Sequence, residues 1–363
     1  MVSPIRDLDR AILSAVFSVA PAKAQELFRF LEQRNVEFDY IEDAGFVFRA
    51  ASSPSTGIIE ASVPSLELLW CASYCYWEMY QLITAVQNRS DRSWTADELV
   101  RRGRVEEMFG WSLMNVHRKS AEDWPSELSR PEASSTFGSL THVSTELFLV
   151  ALGWILHHEI GHIVHSHSTQ KGRSKRDQER EADEAANLWL FNGVSDRAVR
   201  QKMALGLVTA LCMLSARRQP GKDSSPQETH PHPLERLVTA LNQCNLPEDN
   251  VAYAYAISAL QMNMVLTNFT YVPGADAPFR TLLESLCCVV RTHQSSEYWS
   301  VIATSELPKW WAKYQLSPTD EEIRPVAYSF WEERGKPWGS PEEDWFRAED
   351  SLRRGAATLA VPN

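Results

Sequence analysis

Along most of this chain apolar residues recur every three to four positions, and in one short region they alternate. Residues 8 to 34 carry Ile12, Val16 and Phe17, then Leu27, Phe28 and Leu31, which is helical spacing. Beyond them Val36-Glu-Phe-Asp-Tyr-Ile41 alternates as a half-buried strand does. Glu-Asp-Ala-Gly reads as a turn, Phe46-Val-Phe48 as a returning strand, and Gly57 to Val63 as a third. The expectation is a small antiparallel sheet near the N-terminus. From Pro64 the pattern is helical again. Residues 66 to 86 hold a Trp70, Tyr74, Trp77, Tyr80 stripe that reads as core, and Thr95-x-x-Glu98 is a capping box for a helix over 95 to 109. Residues 121 to 139, rich in Pro, Ser and Glu, read as a loop. A helix is predicted over 141 to 167, and a second starts after Ser174 as N-cap and stops near Asn192, before Gly193. Further helices are expected over 196–216, 233–243, 249–267, 277–292 and 296–315, with packed but irregular structure after Pro318. The fold class is therefore mainly α (α+β). Three segments suggest themselves, 1–120, 121–245 and 246–363, and a single compact domain could hold all three.

Composition narrows the function. Of 363 residues, 44% are hydrophobic and 23% charged, as in globular proteins that bury a core. A net charge of -11 argues against a nucleic-acid partner. The basic cluster Lys171, Arg173, Lys175 and Arg176 reads as a solvated loop. Six scattered cysteines, two of them adjacent at Cys287 and Cys288, favour reduced thiols and a cytoplasmic home. A metal role for Cys71-x-x-x-Cys75 is the weaker reading there. Ala11 to Ala20 faintly resembles a signal peptide, but Asp7 and Asp9 occupy the place of its basic region, so an amphipathic helix is expected. No apolar run reaches the length of a membrane span, Leu147 to Leu156 being too short. A soluble protein with no membrane partner follows.

The chemistry is concentrated at His158-Glu159-Ile160-Gly161-His162. On a helix, His158 and His162 share a face and two imidazoles can grip one zinc ion. Glu159 points to the side of that face, where it can accept a proton from an attacking water and return it to the leaving amine. The motif can also arise by chance as two core or surface histidines, so a third ligand decides. Glu179-Arg-Glu-Ala-Asp183 opens the next helix, with Glu179 and Asp183 again four apart; on a solvated helix they would merely pair with Arg180 and its neighbours. His165 lies three residues beyond His162 and could complete an all-protein, structural site, although such a site has no use for Glu159. His157 and His167 are expected to be solvated or to support the ligands from behind.

HExxH followed by ExxxD on a second helix resembles the gluzincin zinc metallopeptidases. The resemblance implies a zincin-like core, Zn2+ as cofactor, Glu179 as third ligand, and Asp183 as the acceptor that holds a ligand histidine in its tautomer. The metzincin pattern does not fit, because His165 and Ser168 stand where it needs Gly and His. His230-Pro-His-Pro-Leu-Glu-Arg236 is similar to the HP-x4-R element of HtpX-type metallopeptidases. Spacing and resemblance together predict that His230, or less favourably His232, approaches the open side of the zinc as an oxyanion donor. Arg236 should then pair with Asp183 or Glu181. HtpX-type enzymes carry membrane helices, and ImmA/IrrE regulators are shorter. The layout of strands, helices, central HExxH and HP element is most similar to the phage-exclusion peptidase Lit family, which cuts the translation elongation factor Tu on phage infection. The resemblance implies a phage-defence protease acting on a protein or peptide substrate, with an activating partner unknown. The rival readings are a regulator with the same fold and weak or absent hydrolysis, and a structural zinc domain.

Overall fold

The computed structural model describes residues 3–42, 45–52, 56–89, 93–116, 123–167, 172–217, 231–265, 278–295, 320–334, 344–345, 347–348 and 351. Its helices are α1 (Asp9–Ser18), α2 (Ala24–Gln33), α3 (Val63–Gln87), α4 (Ala96–Asn115), α5 (Leu140–Val164), α6 (Lys175–Phe191), α7 (Arg197–Ala216), α8 (Pro233–Gln243), α9 (Val251–Val265), α10 (Phe279–Ser295) and α11 (Asp320–Glu333); its strands are β1 (Val36–Ile41), β2 (Phe48–Ser52) and β3 (Gly57–Ser62). The molecule is mainly α with a small sheet. The helix expected over 296–315 lies outside the described residues.

Helix α5 organises the rest. It is apolar on all sides, and a helix of that kind must be surrounded. Helices α1, α3, α6 and α7 and strands β2 and β3 pack around it. By length and composition α5 could cross a membrane, but most of its apolar surface is buried inside this protein. A hydrophobic cluster runs from Ile5 through Trp70, Trp154 and Leu211 to Tyr255 and Leu286, drawing on all three segments of the sequence.

The differences from expectation have local causes. Residues 8 to 34 form two helices because Pro21 opens a short 3-10 turn, Pro21–Lys23, between them; proline has no amide to continue a helix. The sheet is mixed rather than antiparallel. Its order is β1-β3-β2, with β1 parallel and β2 antiparallel to β3. Strand β3 is the most buried of the three and takes the centre, pairing on both sides, so β2 becomes an edge. The returning strand begins at Phe48, two residues later than expected. Beyond Pro318 the chain forms α11 instead of irregular structure, since Ile323 and Ala327, four apart, give it a buried face. Further on, Trp345 packs over Gly138, which sits at φ 70°, and a Cβ there would come within 2.6 Å of the indole.

Candidate metal centre

The site is built where α5 and α6 cross. Ser139 caps the start of α5 by accepting the His142 amide at 3.2 Å, and Ser174 caps α6 by accepting that of Asp177 at 3.1 Å. Gly161 lets the two helices close on each other, because a Cβ there would lie 3.1 Å from Ala182 Cα and 3.3 Å from its carbonyl oxygen. That approach brings Glu179, one turn before Ala182, across from the two histidines.

His158, His162 and Glu179 form a group whose donor atoms lie within 4.8 Å of one another. His158 Nε2 is 3.2 Å from His162 Nε2 and 3.3 Å from Glu179 Oε2, and His162 Nε2 is 3.5 Å from Glu179 Oε1. A tetrahedral ion with bonds of about 2.0–2.1 Å to nitrogen and oxygen has donor-to-donor edges of about 3.3–3.4 Å. The nearest approaches are close to such edges, with each Glu179 oxygen facing one of the two histidines, so two imidazoles and a carboxylate that converge in this way fit a divalent metal of the zinc class. His165 is outside the group and instead stacks on His167 at 5.4 Å.

Each histidine of the group is held from behind. His158 Nδ1 meets Asp183 Oδ1 at 2.9 Å, and Arg236 grips Asp183 through Nη2–Oδ1 at 2.6 Å and Nε–Oδ2 at 2.8 Å. Trp154 stacks on the His158 ring at 5.9 Å and is fixed through its indole N–H to Asn187 at 2.8 Å. Burial works against a charge on His158, but the carboxylates of Asp183 and Glu179 outweigh it and push the imidazole up to about 9. The pocket is thus built to hold a cation. His162 Nδ1 meets His167 Nδ1 at 2.8 Å, and His167 Nε2 meets Glu181 Oε2 at 2.9 Å. Arg173 donates to the same Glu181 oxygen at 2.7 Å. The bond from His167 holds the Glu181 carboxyl below its ordinary range.

Glu159 is buried beside the group, with the backbone of Ala50 on β2 close to its carboxylate. Loss of solvent raises it above the ordinary carboxylate range, and Glu179 adds to the rise. Helix α8 supplies Arg236, which reaches Asp183 of the two carboxylates considered for it. It stands behind His158, away from the three donor atoms. His230 lies outside the described residues. His232 caps α8, its Nδ1 accepting the Leu234 amide at 3.2 Å. Arg180 pairs with Asp177 and Glu235, not with Glu179 or Asp183. His157 is buried rather than solvated, bonded through Nε2 to Val16 O at 2.9 Å and stacked on Trp189. Glu181 as the support of His167 was not visible in the sequence, where it figured only as a partner for Arg236. Cys71 and Cys75 are both buried and take no part.

Against this geometry the comparisons with known proteins are informative. Residues 59–256 match the family described as Peptidase U49, and residues 318–354 match a protein of unknown function family (DUF2934). The chain is 31% identical to the "Cell death peptidase" of Escherichia coli (strain K12) over 292 residues, which is 79% of this chain and 97% of that relative. No solved structure matches it.

Proposed function

The chain belongs to the Peptidase U49 family, and from that premise we propose that it is a zinc-dependent endopeptidase that cleaves a protein substrate in a phage-triggered cell-death response. The observation that carries the reading is the convergence of His158, His162 and Glu179, with one donor atom of each within 4.8 Å of the others, beside the buried Glu159. When bound there, zinc supplies a Lewis acid that polarises the scissile carbonyl and acidifies the attacking water. Glu159 takes the water's proton and passes it to the leaving nitrogen. Its raised pKa brings the carboxylate closer to working pH, where a group that must both accept and release a proton is most effective. Asp183 and His167 hold the two imidazoles with their Nε2 atoms forward.

Strand β2 gives the substrate a place. It is the edge of the sheet, and the Ala50 amide lies against Glu159. An extended peptide added to that edge would run past the base and the metal group with its backbone held by strand pairing. The cell-death role comes from the name of the Escherichia coli relative, and the phage trigger from the family resemblance. Elongation factor Tu, implied as substrate by the same resemblance, is the first protein to test. A structural zinc domain is disfavoured, because His165 lies outside the group and Glu159 would be a costly buried carboxylate without a task.

The test pairs metal analysis of the full-length protein with a search for new N-termini after induction in cells, for wild type and Glu159→Gln. The expected result is one zinc in both proteins and cleavage in wild type only, since such a base contributes on the order of 10²- to 10⁴-fold. Cleavage by Glu159→Gln at the wild-type rate would sink the mechanism.

A further inference from the structure

The end of α5 is shaped around a contact that the motif does not contain. His165 is the last half-helical residue, Ser166 takes a left-handed φ of 54°, and the chain turns back on itself. The Ser166 amide bonds to Ile163 O at 3.1 Å and the His167 amide to His162 O at 3.0 Å. These are the two bonds of a Schellman motif, in which the residue after the left-handed position folds against the residue five before it, usually through an apolar contact. Here those two residues are His167 and His162, and the contact is an imidazole–imidazole hydrogen bond of 2.8 Å. The αL position is filled by serine, although glycine adopts it without strain.

With His162 as a metal ligand, the contacts assign the protons of His162 and His167. His162 turns Nε2 toward the other two donor atoms, so as a neutral ligand it carries its proton on Nδ1. His167 Nδ1 must then be the acceptor, and the His167 proton sits on Nε2, where Glu181 Oε2 accepts it at 2.9 Å. Arg173 donates to that same oxygen and Gln178 donates to the His167 backbone carbonyl at 3.4 Å, so the carboxylate and the His167 main chain are each held in place. The geometry points to His167 as a positioning residue for the ligand His162, acting as a neutral relay that transmits the Glu181 carboxylate to it. The two ligands are then supported unequally: His158 by a carboxylate directly, His162 by a carboxylate through a second histidine. This inference rests on the metal-site reading above.

The test uses full-length protein. Zinc affinity is measured by chelator competition for wild type, His167→Phe, His167→Asn and Glu179→Ala, and imidazole nitrogen shifts are read by NMR in zinc-loaded wild type. His167→Phe keeps a ring against His165 but removes the acceptor, and should weaken zinc binding about 10- to 100-fold. His167→Asn places an oxygen where Nδ1 was but cannot reach Glu181, so it should recover only part of that loss. The NMR spectrum should show His162 protonated on Nδ1 and His167 on Nε2, a readout that needs no variant to fold. If Glu179→Ala loses zinc while His167→Phe binds like wild type, or if His167 carries its proton on Nδ1, the relay is overturned and the metal site stands. An Asn variant that binds zinc as tightly as wild type shows that an acceptor alone suffices without Glu181, and also overturns it. Wild-type affinity in Glu179→Ala overturns the metal site and the relay together.

Discussion

Arg236 and Asp183 meet as a two-point fork, Nη2 to Oδ1 at 2.6 Å and Nε to Oδ2 at 2.8 Å, and the Oδ1 that Arg236 grips is the oxygen that meets His158 Nδ1. Burial alone would raise the Asp183 carboxyl, but Arg236 and His158 outweigh it and hold it below its ordinary range. The guanidinium also lies 5.5 Å from the centre of the Trp154 ring, whose neighbour is His158. Helix α8 therefore locks the metal-facing imidazole from 53 residues downstream of Asp183.

Removing Arg236 leaves Asp183 buried without its cation. Arg236→Ala is expected to lower stability by roughly 3–5 kcal/mol, the usual cost of breaking a buried pair from one side. Arg236→Lys keeps the charge, loses the fork, and should fall between it and wild type. Denaturant unfolding of the metal-free proteins measures both. An Arg236→Ala protein as stable as wild type would show that the pair is solvated and contributes nothing.

His158 gives the metal site a pH dependence. Its folded-state imidazole is pushed up to about 9, against about 6.5 for a free histidine. In metal-free protein the stability this adds is fully present below about 6.5 and is lost as pH rises towards 9. Metal binding runs the other way, because the ion displaces that proton. Apparent zinc affinity should rise about tenfold per pH unit from near 7 to near 9 and then level off. Asp183→Asn, which removes the main carboxylate behind His158, should flatten the slope. A wild-type affinity constant across this window contradicts the account.

The same geometry explains what could be read from the sequence. The pairs His158/His162 and Glu179/Asp183 were legible because helix spacing fixes a shared face whatever the tertiary context. That the two pairs meet depends on Gly161 against Ala182, which is a contact between helices and leaves no periodic trace. The mixed sheet was missed for a related reason: alternation identifies a strand but not its neighbour, and burial of β3 decided that it takes the centre. Whether His167 faces solvent or supports a ligand was left open, because serine at position 166 does not announce a left-handed turn as glycine would. Helix α11 was hidden by its acidic composition and by Pro325 within it, although Ile323 and Ala327 carried its buried face.

His157, adjacent to the site but turned into the core, should dominate acid sensitivity. Burial lowers its imidazole to about 4, and its bond to Val16 O only partly offsets this. The unfolded chain takes up this proton below about 6.5 while the folded protein does not until about 4. Stability is therefore lost as pH falls through that window, by roughly 3 kcal/mol at the bottom of it. His157→Gln keeps a nitrogen donor for Val16 O and does not titrate. Its melting temperature should change less between pH 6.5 and 4 than that of wild type; parallel curves for the two proteins would place the acid-sensitive group elsewhere.

Gly161 is the point at which packing and ligand placement are the same question. A methyl group there would lie 3.1 Å from Ala182 Cα and 3.3 Å from its carbonyl oxygen, and neither can rotate aside because both belong to the α6 backbone. Helix α6 must shift by a few tenths of an ångström, and Glu179, one turn earlier on it, shifts as well. Gly161→Ala is therefore expected to cost about 1–3 kcal/mol from overpacking, despite alanine's better helix propensity, and to weaken zinc binding. Gly110 in α4 is the control. Nothing lies within 4 Å of a Cβ there, so Gly110→Ala should stabilise the protein by up to about 1 kcal/mol and leave zinc affinity unchanged. Unfolding free energy and chelator competition on the two variants separate the effects. If Gly161→Ala matches Gly110→Ala in both measurements, the α5–α6 approach is looser than the structure has it, and the ligand triad does not depend on that glycine.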